Sequence, residues 1–258
     1  HGWIDWKEDI LRVMDLYNRV QFYNEVLGLP CESASRAITQ AEIVACCDES
    51  LEFVNGPTQL SQSNMMWAGV DWGETTSRTV LTIGGFVDGS KRFSPLFIKV
   101  YSQEESADAS YLVEDILRWL LTFQVRAVAC DVGHGFGVNS ALAREYGIDR
   151  VFPIRYMSGA SPRLLFSGRG KWEWRCNRSQ VIGELFMDIR QRRIRFPKWA
   201  QFEAYSKDLL GGFIEYSGRI KQIIYGHPVD QPDDVLHSLN YARLASEIAS
   251  GSWVMSEQ

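Results

Sequence analysis

The chain has 258 residues, 45% of them hydrophobic and 23% charged, with a formal net charge of −5. That composition suits one large globular domain, or a domain with an appendage. No run of about 18 apolar residues exists, which excludes a membrane-spanning helix. The opening His1-Gly2-Trp3-Ile4-Asp5-Trp6 has neither the basic nor the apolar region of a signal peptide. It also lacks an initiator Met, as expected of a piece of a longer chain. Five cysteines with no C-x-x-C pair point to reduced thiols in a cytosolic setting rather than to disulfides or zinc.

Residues 1–65 differ from the rest, with ten acids against four bases. Residues 19–30 read as a helix closed by Gly28 and stopped by Pro30. Residues 39–47 read as a short helix, with Thr39 as N-cap and Glu42 completing a capping box. A polar stretch from Asn55-Gly56-Pro57 to Asn64 reads as a linker, which puts a boundary near Met65.

From Trp67 the pattern becomes that of an α/β domain. Strands are expected at 67–71, 78–87 and 94–101. The tight turn Asp88-Gly89-Ser90 joins the last two, and the three form an antiparallel meander. An amphipathic helix over 107–123 precedes a buried strand at 127–131. A helix at 138–146, closed by Gly147, leads to a strand at 150–156. Strands separated by helices extend the meander into a mixed sheet. Residues 157–177 read as a long polar loop and 179–193 as a helix. Residues 212–225 read as a hairpin turning at Ser217-Gly218-Arg219. A last helix covers 233–250, with Leu236, Leu239, Ala242, Leu244 and Ile248 as its buried stripe.

Two acids occupy matching positions. Asp71 and Asp131 each end an apolar strand, and each is followed two residues later by a glycine. A carboxylate beside a strand core costs several kcal/mol unless something pairs with it. If the two strands are neighbours, both carboxylates emerge at one sheet edge and can share a divalent cation. Asp233-Asp234 opens the last helix, where the positive end of the helix dipole favours acids. His237 follows Asp234 by three residues and shares its helix face. Oxygen-rich sites of this kind suit Mg²⁺ or Mn²⁺, and paired ions promote phosphodiester hydrolysis. Taken singly, Asp71 reads as a turn aspartate, Asp233 as an N-cap and His237 as a satisfied helical histidine. Structural roles explain the conjunction far less easily.

Charge is unevenly distributed. Residues 163–198 hold ten bases and three acids, so that segment is +7 and the remainder −12. Arg163, Arg169, Lys171, Arg175 and Arg178 are the candidates for contacts with DNA. A solvated helix face explains the same charge equally well. No phosphate-loop motif G-x-x-x-x-G-K-S/T, no G-x-S-x-G and no H-E-x-x-H is present.

The order strand–Asp71–meander, helix–strand–Asp131, and a last helix opening Asp233-Asp234-Val235-Leu236-His237 resembles the ribonuclease H-like (RuvC/integrase-type) nuclease domain of tailed-bacteriophage terminase large subunits. Arg19 to Pro30 is similar to the segment that joins the packaging ATPase to that nuclease. Asn177-Arg178-Ser179, opening a helix that ends in Arg195-Phe196-Pro197, is similar as well. The resemblance covers nearly the whole chain through the order of short motifs. It implies a mixed sheet flanked by helices with an auxiliary β-hairpin at 212–225. It divides the chain into a helical linker from an ATPase domain at 1–65 and a nuclease domain at 66–258. The implied activity is metal-dependent cleavage of double-stranded viral DNA concatemers during packaging, with two Mg²⁺ or Mn²⁺ ions. Carried over by position, Asp71, Asp131 and Asp234 are the catalytic ligands, with Asp233 close behind. His237 stands where the family often has an acid, as a ligand or a proton carrier. The implied partners are DNA, an ATPase domain in the same chain, the portal and the small terminase subunit, in the cytoplasm of the infected host.

Gly69-Val70-Asp71-Trp72-Gly73 and Asp131-Val132-Gly133 also resemble the phosphate loops of actin/Hsp70-type ATPases and sugar kinases. Those proteins are longer, have two such subdomains, and lack an acidic pair opening the last helix. A third reading is an inactive ribonuclease H-like module that only holds DNA or a partner protein.

Overall fold

The computed structural model describes residues 36–56, 65–73, 77–133, 135–159, 161–168, 172–217, 222–228 and 231–252. The helix expected at 19–30 lies outside them. So do Arg169, Lys171 and the turn at 218–221.

Seven strands form one mixed sheet. They are β1 (Met66–Asp71), β2 (Val80–Phe86), β3 (Phe93–Val100), β4 (Ala127–Asp131), β5 (Val151–Met157), β6 (Leu164–Phe166) and β7 (Trp174–Asn177). Their order across the sheet is β3-β2-β1-β4-β5-β7-β6. β1, β2 and β3 are the expected antiparallel meander. β4, β5 and β7 add to it in parallel, and β6 returns antiparallel at the edge. Central strands covered on both faces need apolar residues at every position rather than at alternate ones. Ala127-Val128-Ala129-Cys130 supplies that run and is buried throughout.

Helices cover both faces. α1 (Gln40–Val44) precedes the sheet, and its Thr39–Glu42 capping box is present. α2 (Gln103–Ala107) and α3 (Ala109–Thr122) follow β3, α4 (Phe136–Tyr146) follows β4, and α5 (Arg178–Arg190) follows β7. α6 (Trp199–Leu210) leads to the hairpin β8 (Phe213–Ser217) and β9 (Gln222–Gly226). α7 (Asp234–Ser250) is the last helix of the described residues. Alternate strand residues feed two apolar cores. Met66, Ala68, Val70, Val128 and Cys130 pack with α3 and α4. Trp67, Ala127 and Ala129 pack with α5, α6 and α7. Residues 36–56 join this body: Ala37 N–H donates to Gly212 O at 2.9 Å, and Val54 N–H to Leu96 O at 2.9 Å.

Four expectations change. Residues 157–177 are not a loop, because β6 and β7 occupy much of them. Trp174 and Cys176 face the core while Arg175 points away, so the strand alternation is real but only four residues long. The helix expected over 107–123 is two, split where Asp108 caps the second by accepting from the N–H groups of Ser110 and Tyr111. α6 is a helix with no forecast in the sequence. Finally, α7 is buried on all sides, not along one stripe: 14 of its 17 residues are buried.

α7 lies directly on β1. A Cβ built on Gly69 would stand 2.0 Å from Ser238 O and 2.2 Å from Ala242 N, both backbone atoms. Only glycine permits that approach. Among the described residues, buried polar groups of α7 find partners, the Nε of Arg243 excepted. Ser238 Oγ lies 2.8 Å from Thr82 Oγ1, and Arg243 meets Glu247 at 2.6 Å.

Candidate functional site

β1 and β4 are parallel neighbours, and Val70 pairs with Cys130. The next residues, Asp71 and Asp131, therefore emerge side by side at the carboxyl edge of the sheet. α7 enters over the same edge, because Gly69 lets it sit on β1. Asp233 and Asp234 thus face the strand-end pair. The crowding has an electrostatic consequence. Burial, then the charges of Asp131, Asp234 and Asp233, push the Asp71 carboxyl well above its ordinary range against a smaller opposing pull from Arg178. Burial also raises Asp131, though Tyr241 and the N–H groups of Gly133 and Val132 oppose it. The glycine after Asp131 has a clear task. A Cβ on Gly133 would stand 2.5 Å from Asp131 Oδ2.

A polar frame holds these groups. Tyr241 donates to Asp131 Oδ1 at 3.2 Å and stacks on Tyr156 with ring centroids 5.2 Å apart. His237 Nε2 lies 2.9 Å from Asp233 Oδ2, and its Nδ1 lies 3.3 Å from Tyr156 Oη. Asn240 donates to that same hydroxyl at 3.1 Å. Arg178 Nη2 lies 3.4 Å from the same Nε2, so these contacts together fix the orientation of the His237 ring. Asp233 also meets His227 at 3.2 Å and Arg178 at 3.7 Å. Burial alone would raise Asp233, but the His237 hydrogen bond and the charges of His237, His227 and Arg178 hold it below its ordinary value. Behind Asp131, Asn139 donates to the Asp131 carbonyl at 2.7 Å and accepts from the Trp72 indole at 2.9 Å.

Asp233 is the N-cap residue of α7, but its side chain makes no capping bond. That task falls to Asp208 of α6, whose Oδ2 accepts from Val235 N–H at 3.0 Å. Arg78 bridges the two acids, reaching Asp208 Oδ2 at 2.8 Å and Asp234 Oδ2 at 3.1 Å. Sequence reasoning passes over Asp208, Arg78, Tyr156, Tyr241, Asn139 and His227. Of these, Tyr241 alone carries a local signal, lying four residues beyond His237 on one helix face.

Of the basic candidates, Arg178 is at this edge. Its guanidinium also donates to Tyr225 O. Arg175 pairs with Glu173 at 3.2 Å. Arg163 is elsewhere, bound to Glu184 and Glu247 at 2.7 Å each. Glu247 stands 13 residues along α7 from Asp234, about 20 Å at a helical rise of 1.5 Å. Arg190, Arg195 and Lys198 are likewise engaged, with Glu42, Asp48 and Glu52.

The donor chemistry fits a hard divalent cation: carboxylates from three elements converge, burial raises Asp71 and Asp131, and repulsion from its neighbours raises Asp71 further. No described donor bonds the Asp71 carboxylate, so its charge has no direct partner among the described residues. Among those residues, no three His, Cys, Asp or Glu side chains stand close enough to enclose an ion. The Arg78 and His237 contacts hold Asp234 Oδ2 and Asp233 Oδ2. No helix of the described residues is long and apolar enough to cross a membrane.

No family model matches the sequence, and no curated protein matches it. Solved structures do resemble it. The large terminase nuclease of thermophilic phage G20c is similar at a TM-score of 0.52 and 12% identity, over 75% of this chain and 93% of that one. The same nuclease with bound magnesium gives 0.50 and 13%, over 76% and 93%. The large terminase of bacteriophage HK97 gives 0.53 and 12%, over 82% of this chain and 43% of that one. For the large terminase of a second thermophilic bacteriophage the values are 0.52 and 14%, over 93% and 52%. The chain thus spans about half the length of these last two large terminases. Its fold is the ribonuclease H-like fold of terminase large-subunit nuclease domains.

Proposed function

We propose that this chain is a metal-dependent endonuclease, the nuclease part of a tailed-bacteriophage terminase large subunit. The observation that supports this most directly is the crowding of Asp71 and Asp131, at adjacent strand ends, against the acidic opening of α7. Unpartnered carboxylates destabilise a fold unless a ligand of opposite charge joins them. In this reading Asp71, Asp131 and Asp234 hold Mg²⁺ or Mn²⁺, two ions in all, with Asp233 or His237 beside them. Such ions supply a water nucleophile of lowered pKa and neutralise the departing oxygen. The chain's own residues set the geometry. Tyr241 orients Asp131, and Tyr156 with Asp233 holds the His237 ring in place.

The substrate is double-stranded DNA, cut from concatemers to genome length. A packaging ATPase domain in the same chain, joined through residues 1–65, would feed it. The portal and the small terminase subunit would complete the assembly in the host cytoplasm. DNA would pass Arg178 and Arg175, with Arg169 and Lys171 nearby in sequence. Arg178→Ala is expected to weaken DNA binding and to reduce the slope of log affinity against log salt by about one. An unchanged slope in a fluorescence anisotropy titration sets Arg178 aside as a phosphate contact.

The test of activity uses the purified chain with supercoiled plasmid. Nicked and linear products are expected with Mn²⁺ or Mg²⁺, none with EDTA, and recovery on adding excess cation. ATP hydrolysis without DNA cleavage would instead favour an actin/Hsp70-type ATPase. DNA retention without cutting would favour an inactive binding module.

A further inference from the structure

We propose that Asp208 and Arg78 are positioning residues for Asp234, a clamp that sets the start of α7 and the aim of its first carboxylate. The inference rests on the nuclease reading and deepens it. Three observations carry it. α7 has no capping side chain of its own, and a residue from another helix, Asp208, accepts from its Val235 N–H at 3.0 Å. The same oxygen of Asp208 takes Arg78 at 2.8 Å, and Arg78 Nε goes on to Asp234 Oδ2 at 3.1 Å. Asp208 is 1% exposed, and its other oxygen, Oδ1, has no hydrogen-bond partner among the described residues.

A buried carboxylate with half its bonding capacity unfilled is a costly way to stop a helix. A serine or asparagine at position 233 would cap it locally. The arrangement makes sense if the charge is needed. It holds Arg78, and Arg78 in turn holds one oxygen of Asp234 and leaves Oδ1 without a donor among the described residues. Groups that orient a ligating carboxylate in this way matter nearly as much as the ligand itself. Arg78 also offsets the repulsion between Asp208 and Asp234, which are drawn together by one guanidinium.

The experiment compares the wild-type chain with Asp208→Asn and Arg78→Gln. Asp208→Asn keeps the shape and an acceptor for Val235 N–H but gives up the ion pair. Arg78 is a partly exposed residue, so Arg78→Gln remains informative should Asp208→Asn fail to fold. Isothermal titration with Mn²⁺ alone reads the site without any turnover, and plasmid nicking gives kcat and KM. Mn²⁺ affinity is expected to fall about tenfold in each variant. kcat is expected to fall with it, while KM for DNA stays near wild type. Arg78→Lys, which keeps the charge but not the fork, should recover only part of the affinity. Wild-type Mn²⁺ affinity, or tighter binding, in Arg78→Gln overturns the clamp and makes Arg78 a competitor for Asp234. A wild-type chain that neither binds Mn²⁺ nor cuts DNA overturns the nuclease reading instead.

Discussion

Asp71→Asn is expected to abolish DNA cleavage and at the same time to make the metal-free protein more stable at neutral pH. Loss of one anionic ligand removes several kcal/mol of transition-state stabilisation. About 4 kcal/mol corresponds to roughly a thousandfold in rate. The stability gain follows from the direction of the Asp71 shift. Its carboxyl is raised well above the ordinary range, by burial and then by Asp131, Asp234 and Asp233. A group whose pKa is higher in the folded state contributes stability that is full below its unfolded pKa, about 3.9. That contribution is lost as the pH rises through the folded-state value. Asparagine carries no proton to lose, so the melting temperature of the variant should pull ahead of wild type as the pH climbs from 4 toward 8. Thermal melts in EDTA measure this. A gap that stays flat across that range removes the case for charge crowding at Asp71. Saturating Mn²⁺ should reverse the order, because only wild type gains a full ligand set to bind it.

Much of this fold is legible in sequence where the signal is local and strong. Ala127 to Asp131 is a continuous apolar run ended by an acid, and β4 is that run. The capping box at Thr39 and Glu42 is a four-residue pattern and appears as written. Short or mixed elements escape. β7 offers only Trp174 and Cys176 as buried apolar positions, set among serine, glycine and arginine. α6 buries Phe202 and Leu209 together with Ser206 and Asp208, so its inner face does not read as apolar. With α6 goes Asp208, and with Asp208 the cap of α7. The basic segment misleads for a related reason. Its charge count is correct, but Arg163, Arg190 and Arg195 meet acids 21 to 148 positions away in sequence. Composition counts charges; only the fold decides which remain free. The strand-end placement of Asp71 and Asp131 is legible because each acid closes its own strand. What neither strand reveals is Tyr241, which reaches Asp131 from a helix 110 residues away.

Gly69→Ala should be the most damaging small change in the molecule. The added methyl has no room: Ser238 O at 2.0 Å, Ala242 N at 2.2 Å and Tyr241 C at 2.8 Å are all backbone. A side chain could rotate away, but a helix must retreat as a body, and α7 is enclosed on every side. The cost is expected at about 3 kcal/mol or more, at the upper end of overpacking. Urea unfolding measures it, and loss of soluble protein is the same result in a stronger form. Gly137→Ala is the control. It sits on an exposed helical position, a Cβ there meets nothing within 4 Å, and alanine favours helix. That variant should be neutral or stabilised by up to about 1 kcal/mol. If the two variants unfold at the same urea concentration, β1 and α7 are not in the contact described. The consequence for function is larger than for stability. Asp233, Asp234, His237 and Tyr241 all ride on α7, so any retreat carries them together away from Asp71 and Asp131. A displacement near 1 Å at such a site costs about a hundredfold in rate. Any Gly69→Ala protein that still folds should therefore cleave DNA far more weakly than its remaining stability would imply.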